Sequence, residues 1–179
     1  MRPILMGYAL IPVIMIVASL VAPANAQPAF TLTSPSFQNG GKIPTGFTCS
    51  GRNVSPALQW RGAPSGTRSL SLILADPDAP MGTFIHWVIY NISSETSGLP
   101  EGMNASSSTG NSQQGTNGRD ETGYTGPCPP PGKPHHYNFH LYALDERLDL
   151  KPGATAHQVE TAMKGHILGS TDLVGIFER

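Results

Sequence analysis

The sequence predicts a mainly β protein. Twenty glycines and 17 prolines occur among 179 residues, and 13% of the residues are charged. Glycine and proline favour turns and interrupt helices, and charged helix-forming stretches are few in this chain. Short apolar runs bounded by turn residues are therefore the main structural signal, and they favour strands.

Six apolar runs have the length of strands. They cover residues 29–34, 57–60, 69–76, 84–91, 137–144 and 173–177. Turn sequences separate several of them, namely Asn39-Gly40-Gly41, Ala63-Pro64-Ser65-Gly66 and Pro80-Met81-Gly82. Glycine, proline and asparagine at these positions suit tight turns, so we expect short strands joined by turns.

One helix is predicted near the C-terminus. Thr155 can cap its first turn, and Gln158 completes a capping box. The apolar stripe at three-to-four spacing consists of Val159, Ala162, Met163 and Ile167. Gly169 suits a C-terminal stop, so we expect an amphipathic helix that packs on one sheet.

Residues 93–123 predict a long surface loop. They are rich in Ser, Gly, Asn and Thr, with Leu99 and Met103 as the sizeable apolar residues. Loops of this length in compact domains are usually binding loops or disordered connectors. Binding is the better expectation for the second half, which leads directly into residues 124–132.

The first 26 residues have the pattern of a secretory signal. Arg2 gives a positive start, residues 8–21 are largely apolar, and Ala24-Asn25-Ala26 is a small-residue cleavage signature. A membrane anchor is the alternative, but Pro12 interrupts the short apolar run and no stop-transfer flank follows. We therefore expect signal cleavage and a periplasmic or secreted protein.

Residues 27–179 are about the size of one ordinary domain, so we expect a single domain. The 11 basic and 12 acidic residues give a formal net charge of −1. Such a balance gives no support to nucleic-acid binding. The mature sequence contains no apolar segment long enough to span a bilayer.

Two carboxylates and an imidazole flank one short turn. Asp76-Pro77-Asp78-Ala79-Pro80 follows an apolar run and precedes His86 in the next predicted strand. The prolines fix their backbone and lack amide hydrogens, so the turn is stiff and holds its side chains still. One carboxylate could orient and charge a histidine, or it could accept a hydrogen bond from a ligand.

A second block, residues 123–132, combines glycine, proline and cysteine ahead of His135-His136-Tyr137. The amides of Gly126, Cys128 and Gly132 could cradle an oxyanion, because the prolines between them remove competing donors. The two blocks together predict an anion-binding site.

The two faces of the strand that follows suggest two different kinds of site, one for an anion and one for a metal. Residues two apart share a face, so His135 and Tyr137 point the same way and can donate hydrogen bonds to an oxyanion. The opposite face carries His136 and His140, which could bind a metal. They have no third ligand at a fixed spacing and no zinc motif, so we expect no metal and no cofactor.

The two blocks, in this order, resemble the phosphatidylethanolamine-binding proteins, specifically the bacterial Raf-kinase-inhibitor-like branch. The likeness runs from about Phe30 to the C-terminus. It implies an antiparallel β-sandwich of two packed sheets with one or two peripheral C-terminal helices. It also implies a small cavity at one end of the sandwich for phosphate, a carboxylate or a phospholipid headgroup, and pairing as a homodimer.

The resemblance carries nine ligand-binding positions over to this chain. They are Asp76, Asp78, Pro80, His86, Gly126, Pro127, Cys128, His135 and Tyr137. A simpler interpretation is that the Asp and Pro residues merely stabilise strand ends. Residues 115–118 are similar to a Gly-x-Asn element of the family, but Arg119-Asp120 stands where many members have an acidic residue followed by an aromatic.

Cys49 and Cys128 could form a disulfide, because exported proteins meet conditions in which thiols pair. The alternative is a packing role, since the segment around Cys49 resembles one found in members without an export signal. If the two cysteines pair, the chain-entropy model credits the bond with roughly 4 kcal/mol.

Three functions remain open. The first is an exported binding protein for an anionic small molecule or a phospholipid headgroup, with no catalysis. The second is an inhibitor or interaction protein that acts on a peptidase or another protein partner through residues 93–123. The third is an esterase-like hydrolase with His86 or His135 as acid-base group, although no Gly-x-Ser-x-Gly elbow occurs and Cys128 is a candidate nucleophile only if unpaired.

Overall fold

The computed structural model describes residues 28–103 and 111–179. The predicted signal segment, residues 1–26, and residues 104–110 of the predicted loop lie outside them. The elements in chain order are β1 (Thr31–Thr33), β2 (Gly41–Lys42), a 3₁₀ turn (Thr45–Phe47), β3 (Leu58–Arg61), β4 (Ser69–Asp76), β5 (Phe84–Ser93), β6 (Gly98–Leu99), β7 (Gln113–Gln114), β8 (His135–Leu144), α1 (Ala156–Ala162) and β9 (Ile167–Phe177).

The strands form two sheets. The small sheet has the order β1-β3-β6 and the large sheet the order β2-β9-β8-β4-β5-β7. All neighbours are antiparallel except β2 and β9, which pair in parallel through Gly41 and Gly175. The mainly β class and the two sheets are therefore confirmed, but the prediction of a purely antiparallel sandwich is wrong for the large sheet. The parallel pair is short and is extended by the hydrogen bond from the Ile43 amide to the Ile176 carbonyl.

Apolar side chains fill the space between the two sheets. Leu32 and Trp60 of the small sheet belong to one cluster with Leu72, Trp87 and Phe139 of the large sheet. A second cluster covers the opposite face of the large sheet and includes residues of α1. Because both of its faces are covered, β4 is buried over its whole length. The protein thus has three layers: small sheet, large sheet and helix.

The helix begins as predicted and ends earlier than predicted. The reciprocal capping box between Thr155 and Gln158 is present, and Val159 is buried. The helix stops at Ala162, and Gly165 then takes a positive φ of 86°. Ile167 is therefore not part of the helical stripe; it begins β9 and is 46% exposed. Gly169 lies inside that strand instead of ending the helix.

The predicted strands are all present, and all except β4 have shifted ends. The bounds of β4 are those predicted, whereas β8 begins at His135 and β9 begins at Ile167. Residues 167–172 carry little apolar signal, and it is their pairing with β8 that makes them a strand. Within the predicted loop of residues 93–123, β6 and β7 each contribute two residues to sheet edges.

Candidate functional site

A cavity of about 250 Å³ lies at one end of the large sheet. The end of β4 meets the starts of β5 and β8 there, because both neighbours run antiparallel to it. Its lining residues are Asp76, Ala79, Pro80, Phe84, His86, Arg119, Cys128, Pro129, Pro130 and His135. Five of the nine predicted positions line it: Asp76, Pro80, His86, Cys128 and His135.

A larger groove of about 670 Å³ follows the outer face of the small sheet. Its lining includes Thr31, Gln59 and Arg61 and contains no histidine or carboxylate. The titratable groups that could do chemistry converge on the smaller cavity, which is therefore the candidate site.

A buried hydrogen-bonded pair, Asp76 and His135, forms one side of the cavity. Asp76 is 3% exposed, and its Oδ2 lies 2.8 Å from Nδ1 of His135. Its Oδ1 accepts a hydrogen bond of 2.9 Å from the backbone amide of Asp78. The carboxylate is thus engaged through both oxygens. It fixes the His135 ring with Nδ1 toward Asp76, which leaves Nε2 as the ring nitrogen for a ligand.

The second histidine is held by the backbone. Nδ1 of His86 donates to the carbonyl oxygen of Thr125 at 2.8 Å, because a carbonyl can only accept. Burial lowers the pKa of His86 below its ordinary value of 6.5, although the Thr125 carbonyl and the Asp76 charge oppose this shift. The ring is therefore neutral at pH 7, and its Nε2 is a hydrogen-bond acceptor.

Tyr137 lies behind the two histidines. Its ring stacks near His135 at a centroid distance of 6.5 Å and meets His86 edge-on at 5.2 Å. The hydroxyl is buried and has no hydrogen-bond acceptor at a bonding geometry in the described residues. Burial, and then the Asp76 charge, raise the pKa of Tyr137, so the phenol keeps its proton. It is not among the residues that line the cavity.

Arg119 lines the cavity and was not predicted as a site residue. Its turn is fixed by the buried Asn117, whose Oδ1 accepts from the Arg119 amide at 2.9 Å and whose Nδ2 donates to Gly123. The Gly118 amide donates to the Ile85 carbonyl and joins this turn to β5. The signal in the sequence was the Gly-x-Asn element directly before Arg119. The motifs also did not predict four other lining residues, Ala79, Phe84, Pro129 and Pro130.

Gly126 does not offer its amide to a ligand, so that prediction is wrong. Its N–H donates to Oδ1 of Asn53 at 2.8 Å. A Cβ at this position would lie 2.5 Å from both Asn53 Oδ1 and the Phe47 carbonyl oxygen. The absence of a side chain therefore allows the proline loop, residues 126–132, to approach the segment after the 3₁₀ turn.

The proline loop is fastened to that segment at several points. Cys49 and Cys128 form a disulfide. The Cys49 amide donates to the Pro127 carbonyl at 3.1 Å, and the Tyr124 hydroxyl donates to the Phe47 carbonyl at 2.6 Å. Pro127 therefore positions the loop without lining the cavity. Since Cys128 is paired, it has no thiolate to act as a nucleophile.

Asp78 holds the outer side of the first turn. Its Oδ2 accepts from the backbone amide of His136 at 2.8 Å and from Nδ1 of the same residue at 2.7 Å. The backbone hydrogen bond is the largest cause that lowers the pKa of Asp78. This carboxylate, 41% exposed, ties the turn to β8 and lies outside the cavity lining.

The two histidines that were considered as metal ligands, His136 and His140, bond to different carboxylates. His136 pairs with Asp78, and Nδ1 of His140 lies 2.6 Å from Oδ1 of Asp172. The described residues contain no group of three or more histidine, cysteine or acidic side chains that could hold a metal ion.

We predict that His86 makes folding stability fall in mild acid. Below about pH 6.5 the unfolded chain binds a proton at this position, whereas the folded chain, with its lowered pKa, does not. The free energy of unfolding should therefore fall as the pH drops below about 6.5 and level off at the pKa of the folded state. Urea denaturation at several pH values measures this slope.

His86→Asn is the control for this slope, because its amide can still donate to Thr125 but does not titrate. The loss of stability between about pH 7.5 and pH 5.5 should be smaller in the variant than in the wild type. Equal losses in the two chains would contradict the prediction, since all other titrating groups are common to both.

The fold and the site define a class of protein: a two-sheet β protein with one small polar cavity at the ends of its central strands. The family model named "Phosphatidylethanolamine-binding protein" matches residues 33–178. The chain therefore belongs to the phosphatidylethanolamine-binding protein family, as its two motif blocks predicted.

Relatives cover nearly the whole described chain. A UPF0098 protein of Methanothermobacter thermautotrophicus is 47% identical over 149 residues, which are 83% of this chain and 98% of the relative. LppC of Mycobacterium tuberculosis, which is named a lipoprotein, is 41% identical over 157 residues, 87% of this chain and 76% of its own. No helix in the described ranges of this chain is long and apolar enough to cross a membrane.

Two solved structures are similar in fold. CT736 of Chlamydia trachomatis, described as a phosphatidylethanolamine-binding protein homolog, has 40% identity and a TM-score of 0.78, covering 84% of this chain and 98% of that one. YbcL of Escherichia coli, described as a member of the mammalian family, has 29% identity and a TM-score of 0.79, covering 86% of this chain and 99% of its own.

Proposed function

We propose that this protein is an exported binding protein whose cavity holds an oxyanion: phosphate, a carboxylate or the phosphate part of a phospholipid headgroup. The observation that carries the proposal is the buried Asp76–His135 pair, which aims one imidazole at a cavity that Arg119 also lines. The proposed action is binding without turnover, and the pairing of Cys128 supports it by removing one candidate nucleophile.

A carboxylate near an anion needs explanation, because like charges repel strongly in a partly buried site. Here Asp76 accepts a hydrogen bond from Nδ1 of His135, and Nε2 of the same ring remains for the ligand. Arg119 adds one positive charge to the lining. This charge offsets that of the Asp76 carboxylate, so an oxyanion in the cavity does not face an uncompensated negative charge.

The neutral His86 adds a complementary acceptor. Its Nδ1–H is used by Thr125, so Nε2 can receive a hydrogen bond from a ligand hydroxyl. A hydrogen phosphate or a phosphomonoester monoanion carries both acceptor oxygens and one such hydroxyl. The pair of histidines thus suits a phosphate better than a fully ionised carboxylate.

Export is part of the proposal. The signal pattern of residues 1–26 supports it, as does the lipoprotein name of the mycobacterial relative. A disulfide is also more common in proteins that leave the cytosol.

Calorimetric titration of the chain from Gln27 onward with inorganic phosphate, acetate and phosphorylethanolamine tests the proposal. We predict that His135→Asn weakens phosphate binding by at least about tenfold, the value of a charge-assisted hydrogen bond. Asparagine keeps a donor for Asp76 and lacks the Nε2 group, so the loss reports the ligand contact.

His136→Asn is the matched control. His136 is the next residue of β8, points to the opposite face and pairs with Asp78 outside the cavity. The His136→Asn variant should bind phosphate with the affinity of the wild type. Unchanged binding in His135→Asn, or no binding of any of the three anions by the wild type, would refute the proposed site.

A further inference from the structure

We propose that the open edge of β9, residues 168–172, pairs antiparallel with the same edge of a second copy of this chain. The two large sheets then form one continuous sheet across a two-fold axis at Ser170. The juxtaposition behind the inference is a row of unpaired backbone groups beside two exposed apolar side chains. The inference is independent of the cavity and of its proposed ligand.

The backbone groups on this edge point away from β8. The Val174 carbonyl accepts from the Gly40 amide, and the Val174 amide donates to Oδ1 of Asn39, each at 2.8 Å. Val174 therefore directs both groups away from β8. In an antiparallel pair this direction alternates with a period of two residues. Because the pairing of β8 with β9 is regular after one bulge at the start of β9, Ser170 and Asp172 direct theirs the same way.

Within the described ranges, no strand pairs with the groups of Ser170 and Asp172. β9 lies between β8 and β2 in the large sheet, and β2 reaches only Gly175 and Ile176. Both Ser170 and Asp172 are exposed. A row of free amides and carbonyls on a sheet edge is a template for another strand.

The neighbouring residues cover the inner face of β9 and leave its edge open. A Cβ on Gly169 would lie 2.9 Å from Pro64 and 3.9 Å from Phe30. Since side chains project from the faces of a sheet, Pro64 and Phe30 lie over the face and not beside the edge. Next to this edge, Ile167 and Leu168 are 46% and 40% exposed. Exposed apolar side chains on a free edge favour association with another chain.

A second copy of β9 matches this edge in length. With the axis at Ser170, the two Ser170 residues face each other, and Leu168 of each copy faces Asp172 of the other. Moving the axis one residue toward Val174 requires backbone groups that already have partners. Moving it one residue the other way requires a residue before Ile167, where β9 begins. The axis at Ser170 therefore uses the free edge fully.

The same register keeps the acidic side chains apart. The two Asp172 residues lie four positions apart along the paired strands, about 14 Å, which exceeds the screening length of about 8 Å in physiological salt. Each Asp172 also has its own partner, Nδ1 of His140 at 2.6 Å. The residue on the axis, Ser170, is uncharged. Two identical edges can therefore pair without strong repulsion.

Sedimentation velocity of the chain from Gln27 onward, which contains every described strand and helix, tests the inference. We expect a monomer at about 1 µM and mainly a dimer at about 1 mM. The dissociation constant should be on the order of 100 µM, because one short strand pair is smaller than a standard stable interface.

Substitutions at Ser170 test the edge without disturbing β8. Ser170→Pro removes an amide that the pairing with β8 does not use, and it should raise the dissociation constant at least about tenfold. Ser170→Lys should do the same at low salt, because two like charges face each other across the axis. Ser170→Thr keeps the amide and should dimerise with the affinity of the wild type. Thermal denaturation of each variant checks that it is folded.

A mixture of Ser170→Lys and Ser170→Glu tests the register. Opposite charges then face each other across the axis, so the mixture should form a dimer at concentrations at which each variant alone is monomeric.

The possible outcomes are distinct. A wild type that stays monomeric at about 1 mM would overturn the inference, as would a dimer that Ser170→Pro leaves unchanged. A mixture of the two charged variants that stays monomeric would overturn the placement of the axis at Ser170.

Discussion

Replacement of Asp76 by alanine is expected to lower the free energy of unfolding by about 4 kcal/mol and to abolish phosphate binding. A donor that loses its acceptor typically costs about 1–3 kcal/mol, at the upper end when the acceptor is charged, and two donors lose theirs in this variant. Here the change leaves His135 buried without an acceptor and the Asp78 amide without its bond to Oδ1. Urea denaturation measures the first effect and calorimetric titration the second.

Asp78→Ala is the matched control for this prediction. Asp78 also accepts from a histidine, but that pair is exposed, so its loss should cost less than about 1 kcal/mol. The Asp78 amide, which is the group that bonds to Asp76, is retained in this variant. Similar losses of stability in the two variants would contradict the view that Asp76 and Asp78 have different roles.

Asp76→Asn keeps the prediction testable if the alanine variant fails to fold. Asparagine has the same shape and keeps an acceptor for His135, but it lacks the negative charge of the carboxylate. We expect a folded protein with weaker phosphate binding, because His135 would lose the charged acceptor that orients its ring. Phosphate affinity equal to that of the wild type would show that the Asp76 charge is not needed.

Removal of the disulfide is expected to lower the free energy of unfolding by a similar amount, but with a smaller effect on phosphate binding. The bond joins residues 79 positions apart, and the chain-entropy model gives about 4 kcal/mol for a closed loop of this length. The variant Cys49→Ala with Cys128→Ala should therefore unfold at a clearly lower guanidinium concentration than the wild type. Denaturation curves with and without a reducing agent measure the difference.

The double variant supplies its own control, because a reducing agent should change the wild type and leave the variant unaffected. Phosphate affinity should fall by less than about tenfold, since hydrogen bonds such as that from Gly126 to Asn53 still hold the proline loop. A stability loss under about 1 kcal/mol would show that the unfolded chain gains little freedom when the bond is removed.

Local patterns in the sequence predicted much of the fold. The apolar run of residues 69–76 predicted the bounds of β4. The alternation from His135 onward predicted which side chains of β8 face the core. The Thr155 and Gln158 capping box gave the start of the helix. These features depend on neighbours within a few residues along the chain, and such information is contained in the sequence.

Contacts between distant segments were predicted less well. The parallel pairing of β2 and the early start of β9 depend on hydrogen bonds to strands far along the chain. Gly126 lies in a segment with the composition of an anion-binding loop. Its amide nevertheless donates to Asn53, which lies 73 residues earlier in the chain. No local pattern reveals that a donor is already used by a remote acceptor.

The sequence by itself determined the class of fold, the family and the two motif blocks that supply Asp76, His86 and His135. The tertiary structure alone decided which of the predicted groups line the cavity and that Arg119 joins them. The physical reason is that a motif fixes residue types and local backbone, whereas exposure and hydrogen-bond partners depend on how separate strands and loops pack together.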